Sequence, residues 1–265
     1  MTSRLPVSAP AWHAELHLRF TRAGARSVLR DNRHQGPLRV QKALYPEGEA
    51  VCQAIVLHPP SGIAGGDHLH ICASVEAGAH AQLTTPGAGK WYRSGGADAS
   101  QTLDLQVADG ACLEWLPQEA IVFDGARARM DTRIELAADS RLMAWDILCL
   151  GRAAAGERFG SGRVDLACRI ERAGSPIWIE RGGFDGGDAL LASPAGSADA
   201  LSETDQQTVR ELFLVGGSSF NFQKASAEES RRIELRLEFR DLGERAPALR
   251  PRLQEGDSRC PLDAP

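Results

Sequence analysis

Apolar and polar residues alternate along several short segments, and clusters of Gly, Asp, Asn or Pro separate these segments. In the clearest, residues 101–107, Leu103, Leu105 and Val107 share one parity while Asp104 and Gln106 take the other. Successive side chains of a strand point to opposite faces, so this pattern predicts strands with one buried face. Further segments of this kind are residues 15–20, 50–58, 130–136 and 163–170.

These alternating segments contain a repeat. Residues 75–83 align with residues 107–115 and again with residues 136–144, and each copy has an apolar strand end, a tight turn and a new strand. The copies start 32 and 29 residues apart, a spacing typical of stacked β layers. The alternative is chance similarity among β-turns. The repeat favours a mostly β protein with stacked layers, as in a β-helix or an irregular β-sandwich.

The pattern changes after about residue 195. Ser202 and Asp205 have the spacing of a capping box. The apolar residues Val209, Leu212 and Phe213 follow at helical spacing. This predicts one short helix, and the prolines and charges after Gly243 predict a loose tail. We therefore divide the chain into a β scaffold over residues 1–195 and a C-terminal region over residues 196–265 with this small helical part.

Composition narrows the classes of function. The chain has 265 residues, 43% of them apolar and 25% charged, with a formal net charge of −5, which argues against a general affinity for nucleic acid. Its six cysteines form no C-x-x-C pair, and the first 20 residues lack the apolar run of a signal peptide. No segment reaches the ~18 apolar residues of a membrane span. These features predict a cytoplasmic protein without a membrane segment.

Three potential metal ligands alternate along one predicted strand: His68, His70 and Cys72. Alternate positions share a face of the strand, and imidazole with thiolate is a donor set for zinc or nickel. A metal-dependent enzyme using these residues is therefore one alternative. The other alternative is that these are surface or core residues that share a strand face by coincidence. No fourth ligand is evident nearby in the sequence.

The sequence lacks the complete motifs of a nucleotide-binding site and of a serine hydrolase. Residues 84–91 (TTPGAGKW) resemble a phosphate-binding loop, but Thr84 replaces its first glycine and Trp91 stands where Ser or Thr must bind magnesium. The chain also lacks the G-x-S-x-G turn of a serine hydrolase. A nucleotide site and a hydrolase site are both disfavoured.

Two carboxylates have apolar neighbours. Asp146 lies in the segment MAWDIL and Glu180 in the segment IWIER. A carboxylate on such a strand is costly to bury unless it is paired or binds a cation. Glu180 has the alternative of pairing with Arg181 or Arg152, and Asp146 has the alternative of an outward-facing position.

The order and spacing of several motifs resemble the family of the urease accessory protein UreD, also called UreH. The motifs are residues 61–67 (SGIAGGD), residues 84–88 (TTPGA) with Lys90, Tyr92 and Arg93, residues 113–119 (LEWLPQE), and residues 145–147 (WDI) with Gly151 and Arg152. The resemblance covers roughly residues 10–195, and the chain departs from the family pattern beyond them.

The resemblance implies a non-catalytic, cytoplasmic β-helix-like scaffold with no permanently bound cofactor. Members of the family bridge the urease apoenzyme to UreF and the GTPase UreG, and assist delivery of nickel, which is bound only in transit. A polar internal passage is the proposed nickel route in the family. Carried over by motif, its positions here are Asp67, Asp146 and Glu180, with Thr85 and Lys90 as further lining residues.

Overall fold

Strands account for nearly all of the regular structure. The computed structural model describes residues 11–152, 155–192 and 208–215. Its strands are β1 (His13–Ala23), β2 (Arg26–Gln35), β3 (Arg39–Leu44), β4 (Cys52–Leu57), β5 (His68–Val75), β6 (His80–Thr84), β7 (Gly89–Trp91), β8 (Ala99–Val107), β9 (Cys112–Leu116), β10 (Ala120–Val122), β11 (Arg127–Leu136), β12 (Arg141–Leu150), β13 (Arg163–Arg172), β14 (Ser175–Asp185) and β15 (Thr208–Val215). One turn of 3-10 helix spans Ala189–Ala192.

The strands wind into a β-solenoid of about four turns, as the sequence predicts. Sheet A has the order β14-β13-β11-β8-β5-β1-β2, and sheet B has the order β3-β4-β6-β9-β12-β10-β7. In sheet A the five inner strands β13, β11, β8, β5 and β1 pair in parallel. The outer strands β2 and β14 pair antiparallel with β1 and β13. Each turn of the chain thus adds one strand to sheet A and one or two strands to sheet B, on top of the turn before.

The predicted repeat is confirmed by the register of the strands. Val75 pairs with Val107, and Val107 pairs with Leu136, so the three copies stack directly on one another. After the turn, His80 pairs with Cys112 and Cys112 with Arg141, as the alignment requires. The turns of the first two copies contain Gly78 and Gly110, whose φ angles of 69° and 66° lie in the left-handed region that favours glycine.

The hydrophobic core lies between the sheets, because alternate residues of each strand point inward. In β1 the inward set is Ala14, Leu16, Leu18 and Phe20, and in β8 it includes Leu103, Leu105 and Val107, all buried. The alternating segments identified in the sequence are therefore strands of the solenoid, and their apolar parity is its interior.

The C-terminal prediction of a helix is wrong for the part that can be compared. Thr208–Val215 is a strand that pairs antiparallel with β12, where the spacing of Val209, Leu212 and Phe213 predicted a helix. Threonine, valine and phenylalanine favour strands, and the available edge of β12 outweighs a short helical spacing. The predicted cap at Ser202 and the tail beyond Gly243 lie outside the described residues.

In the part of the chain that the structure describes, no helix is both long enough and apolar enough to span a lipid bilayer.

Candidate functional site

A cavity of about 420 Å³ extends through the interior of the solenoid, between sheets A and B. Every turn contributes to its wall, from His58 after β4 to Glu180 on β14. Most of the wall is apolar. The principal lining residues are Leu38, Val56, His58, Leu69, Ile71, Thr85, Lys90, Leu103, Trp115, Glu119, Met130, Thr132, Trp145, Asp146, Cys168 and Glu180.

Four of the five residues proposed for a polar passage line this cavity. Thr85 comes from the corner between β6 and β7, Lys90 comes from β7, Asp146 comes from β12, and Glu180 comes from β14. These positions are far apart in sequence, and the stacking of successive turns brings them around one space.

Asp146 points inward. It shares the parity of Ala144 and Leu148, two buried residues of β12, so the alternative of an outward-facing position is wrong. Its side chain is exposed to the space of the cavity, although protein atoms surround it on most sides. This burial, and then the nearby negative charge of Glu180, raise the pKa of the Asp146 carboxyl. The site therefore favours either a proton or a cation beside these two carboxylates.

Glu180 is half-buried at the opposite wall of the cavity. It lies on the edge strand β14, where it pairs in register with Cys168 of β13. Arg152, one partner considered for Glu180, instead forms an ion pair with Glu157 and stacks over Phe123. No ion pair to Glu180 occurs among the described residues.

The corner that holds Thr85 is fixed by its own hydrogen bonds. Thr85 Oγ1 accepts a hydrogen bond from the Gln118 backbone N–H at 3.0 Å and donates one to the Gly87 carbonyl at 3.1 Å. Lys90, on the strand β7 that follows this corner, is half-buried, and no ion pair in the described part of the chain includes it. The segment that resembles a phosphate loop is thus a corner of the solenoid.

Asp67 has a different environment from the other four residues. It is only 3% exposed and does not line the cavity. Its two carboxylate oxygens accept hydrogen bonds from the backbone N–H groups of Trp12 and Ala64, each at 2.8 Å. Its described contacts therefore hold the first corner of the solenoid together.

His58 is a lining residue that sequence reasoning missed. It continues the inward parity of Cys52, Ala54 and Val56, and this parity was the signal that could have identified it. Burial lowers the pKa of its imidazole, although the charge of Asp67 opposes this effect. Its buried Nε2 atom has no hydrogen-bond partner among the residues described. A neutral imidazole with an unused nitrogen can bind a cation.

The proposed metal ligands of β5 lie on the outer face of sheet A, away from the cavity. His68 is separated from the other two, since its Nδ1 atom lies 2.7 Å from Ser100 Oγ. His70 and Cys72 lie together, and the third residue of the group is Asp104 of β8, which is not one of the three predicted ligands. The structure thus replaces the proposed trio by His70, Cys72 and Asp104.

Comparisons with known proteins find close relatives. The family model described as "UreD urease accessory protein" matches residues 13–216, which extends beyond residue 195. A protein of Dechloromonas aromatica named urease accessory protein UreD is 73% identical over 204 residues, covering 76% of this chain and 71% of that protein. Proteins of the same name from Pseudomonas fluorescens and Azoarcus are 61% and 54% identical, covering 78% and 73% of this chain and 72% and 68% of theirs.

Proposed function

Because the chain belongs to the UreD family of urease accessory proteins, we propose that it joins the urease apoenzyme to UreF and UreG and guides nickel towards the urease active site. The chain has a role in urease maturation and is not an enzyme, since its homologues are accessory proteins. The alternative of a metal-dependent enzyme using His68, His70 and Cys72 is therefore wrong. We propose that the chain acts in the cytoplasm.

The observation that supports nickel guidance is the cavity that extends through the turns of the solenoid, with Asp146 and Glu180 in its wall. Two carboxylates that repel each other in the wall of one cavity gain stability when a divalent cation enters between them. His58, at the first turn, offers an imidazole nitrogen to the same space.

The charged residues of the cavity wall are better suited to passing a nickel ion on than to holding it tightly. Carboxylates and an imidazole are acceptable ligands for Ni²⁺, and ligands spaced along a wall provide several weak positions in place of one closed chelate. Lys90 contributes a positive charge that reduces the attraction of the cavity for a cation. An ion can then leave as well as enter.

The proposal is tested by replacing both carboxylates without changing their shape. The double variant Asp146→Asn, Glu180→Gln should lower nickel per urease and urease activity by roughly tenfold in cells that express the urease proteins with this chain. Nickel content and activity are measured on the purified urease.

Asp109→Asn is the matched control, since Asp109 is an exposed carboxylate in the turn after β8. Both variants should still capture UreF, UreG and urease apoenzyme from these cells. Normal nickel content with the double variant would remove the cavity from the nickel route. Failure of the unaltered chain to capture UreF and urease would contradict the bridging role.

A further inference from the structure

We propose that the outer face of sheet A carries a separate metal site, in which His70, Cys72 and Asp104 bind one divalent transition-metal ion such as Co²⁺, Ni²⁺ or Zn²⁺. The site does not depend on the proposed nickel route, because it lies on the other side of the sheet. Inward positions of the same strands, Leu69 and Leu103, line the cavity, whereas the three ligands have the opposite parity.

The three ligand atoms already converge. His70 Nε2 lies 2.6 Å from Asp104 Oδ2 and 3.2 Å from Cys72 Sγ, and one ligand atom from each residue lies within 4.8 Å of the others. A tetrahedral ion with bonds of about 2.0–2.3 Å needs its ligands ~3.5 Å apart, so only small side-chain movements are required. On binding, the thiol proton of Cys72 and any proton shared by His70 and Asp104 pass to solvent.

The backbone fixes this arrangement. His70 and Cys72 are two residues apart on β5 and so share a face, and Cys72 pairs in register with Asp104 on the parallel strand β8. Central strands of a solenoid are held from both sides, which makes them a rigid support for ligands. The Cys72 side chain is buried, whereas 33% of the His70 side chain is exposed, so an ion can reach the site from solvent.

The ring of His17 lies next to the cluster. His17 pairs in register with Cys72 from the other neighbouring strand, β1, and its ring lies edge-on to His70 with centroids 6.2 Å apart. Its Nδ1 atom is buried without a hydrogen-bond partner in the described part of the chain. A water completes a four-coordinate ion.

The donor set identifies the class of ion. A thiolate with an imidazole selects borderline transition metals, whereas Mg²⁺ and Ca²⁺ require oxygen ligands. One carboxylate and one thiolate also balance the charge of a divalent ion.

A second group of potential ligands, His80, Cys112 and Glu114 on sheet B, is a weaker candidate. Glu114 accepts hydrogen bonds from both His80 and Gln82, and hydrogen bonds to Cys112 and Glu114 raise the pKa of His80 to about 9. The imidazole therefore carries a proton at neutral pH, and an ion would have to displace it.

The test uses the full-length chain, stripped of metal and titrated with Co²⁺, whose bond to a thiolate produces a charge-transfer absorption in the near ultraviolet. We expect one equivalent of Co²⁺ to produce this band, and Zn²⁺ and Ni²⁺ to remove it by competition. Cys72→Ser should abolish the band, and Asp104→Asn should weaken binding by roughly tenfold or more.

Cys112→Ser is the matched control, since it removes a thiol from the other cluster and should leave the band unchanged. The absence of a band with the unaltered chain, or its survival in Cys72→Ser, would overturn the proposal. Loss of the band in Cys112→Ser would also overturn it by assigning the ion to sheet B. Thermal unfolding of each metal-free variant verifies folding, and Asp104→Asn decides the outcome if Cys72→Ser does not fold.

Discussion

At the scale of single residues, the surroundings decide what a carboxylate does. Asp67 accepts two backbone hydrogen bonds in a buried corner, whereas Asp146 faces a cavity with Glu180 near it. The Asp67 carboxylate satisfies two backbone N–H groups, whereas the Asp146 carboxylate can still bind a cation. Residue type and apolar neighbours alone do not distinguish these two situations.

The imidazole of His80 stabilises the folded chain in a pH-dependent way. Its pKa is raised from 6.5 to about 9, so its hydrogen bonds stabilise the folded chain fully below pH ~6.5, and this contribution is lost as the pH rises through 9. His80→Gln should lower the free energy of unfolding by about 1–3 kcal/mol at pH 6. The loss should be much smaller at pH 10.

Urea unfolding at both pH values measures these differences. His34→Gln is the control, because His34 is exposed on β2, and it should change stability little at either pH. An equal loss for His80→Gln at pH 6 and pH 10 would contradict the assigned role of its proton.

At the scale of elements, each strand is stabilised by the strands of the turns before and after it. Leu105 of β8 pairs in register with Ala73 of β5 and Ile134 of β11, and all three side chains are buried. A ladder of this kind buries apolar area only when the turns are in register. It therefore fixes the stacking as well as the stability.

Leu105→Ala should consequently destabilise the chain by about 2–5 kcal/mol, since the rigid neighbours on both sides cannot close the cavity that it leaves. The neighbouring outward residue is the control: Gln106→Ala should change stability by no more than about 0.5 kcal/mol. Chemical denaturation of the two variants tests this, and similar losses for both would show that the inward ladder does not carry the stability.

At the scale of the whole molecule, hydrogen bonding differs between the centre and the edges of the solenoid. β8 is paired on both sides in sheet A, whereas β13 is the one partner of β14 among the described strands, and Ile177 and Ile179 of β14 are 44% and 54% exposed. In stacked folds each turn contacts only its neighbours, so opening begins at the ends.

Hydrogen exchange should therefore be slowest in β5 and β8 and fastest in β14 within sheet A. Mass spectrometry of peptides from these strands measures the rates under native conditions. Equal protection of β14 and β8 would show that the solenoid opens only as one unit, and would contradict opening from its ends.

Sequence alone was enough to identify the strands with one buried face and the repeat, because alternation and repeat spacing depend on residues near one another in the chain. Alternation defines the faces of a strand, and the spacing from Val75 to Val107 to Leu136 defines the stacking. The strand at Thr208–Val215 escaped prediction because the edge of β12, which pairs with it, is distant in sequence.

Tertiary structure alone decided which side chains share a space. It placed Thr85, Lys90, Asp146 and Glu180 around one cavity, assigned Asp67 to a corner and added His58 to the wall. It also placed Asp104, and not His68, in the group with His70 and Cys72. These residues meet only because successive turns stack in register, and the distance between side chains on different turns has no local signal in the sequence.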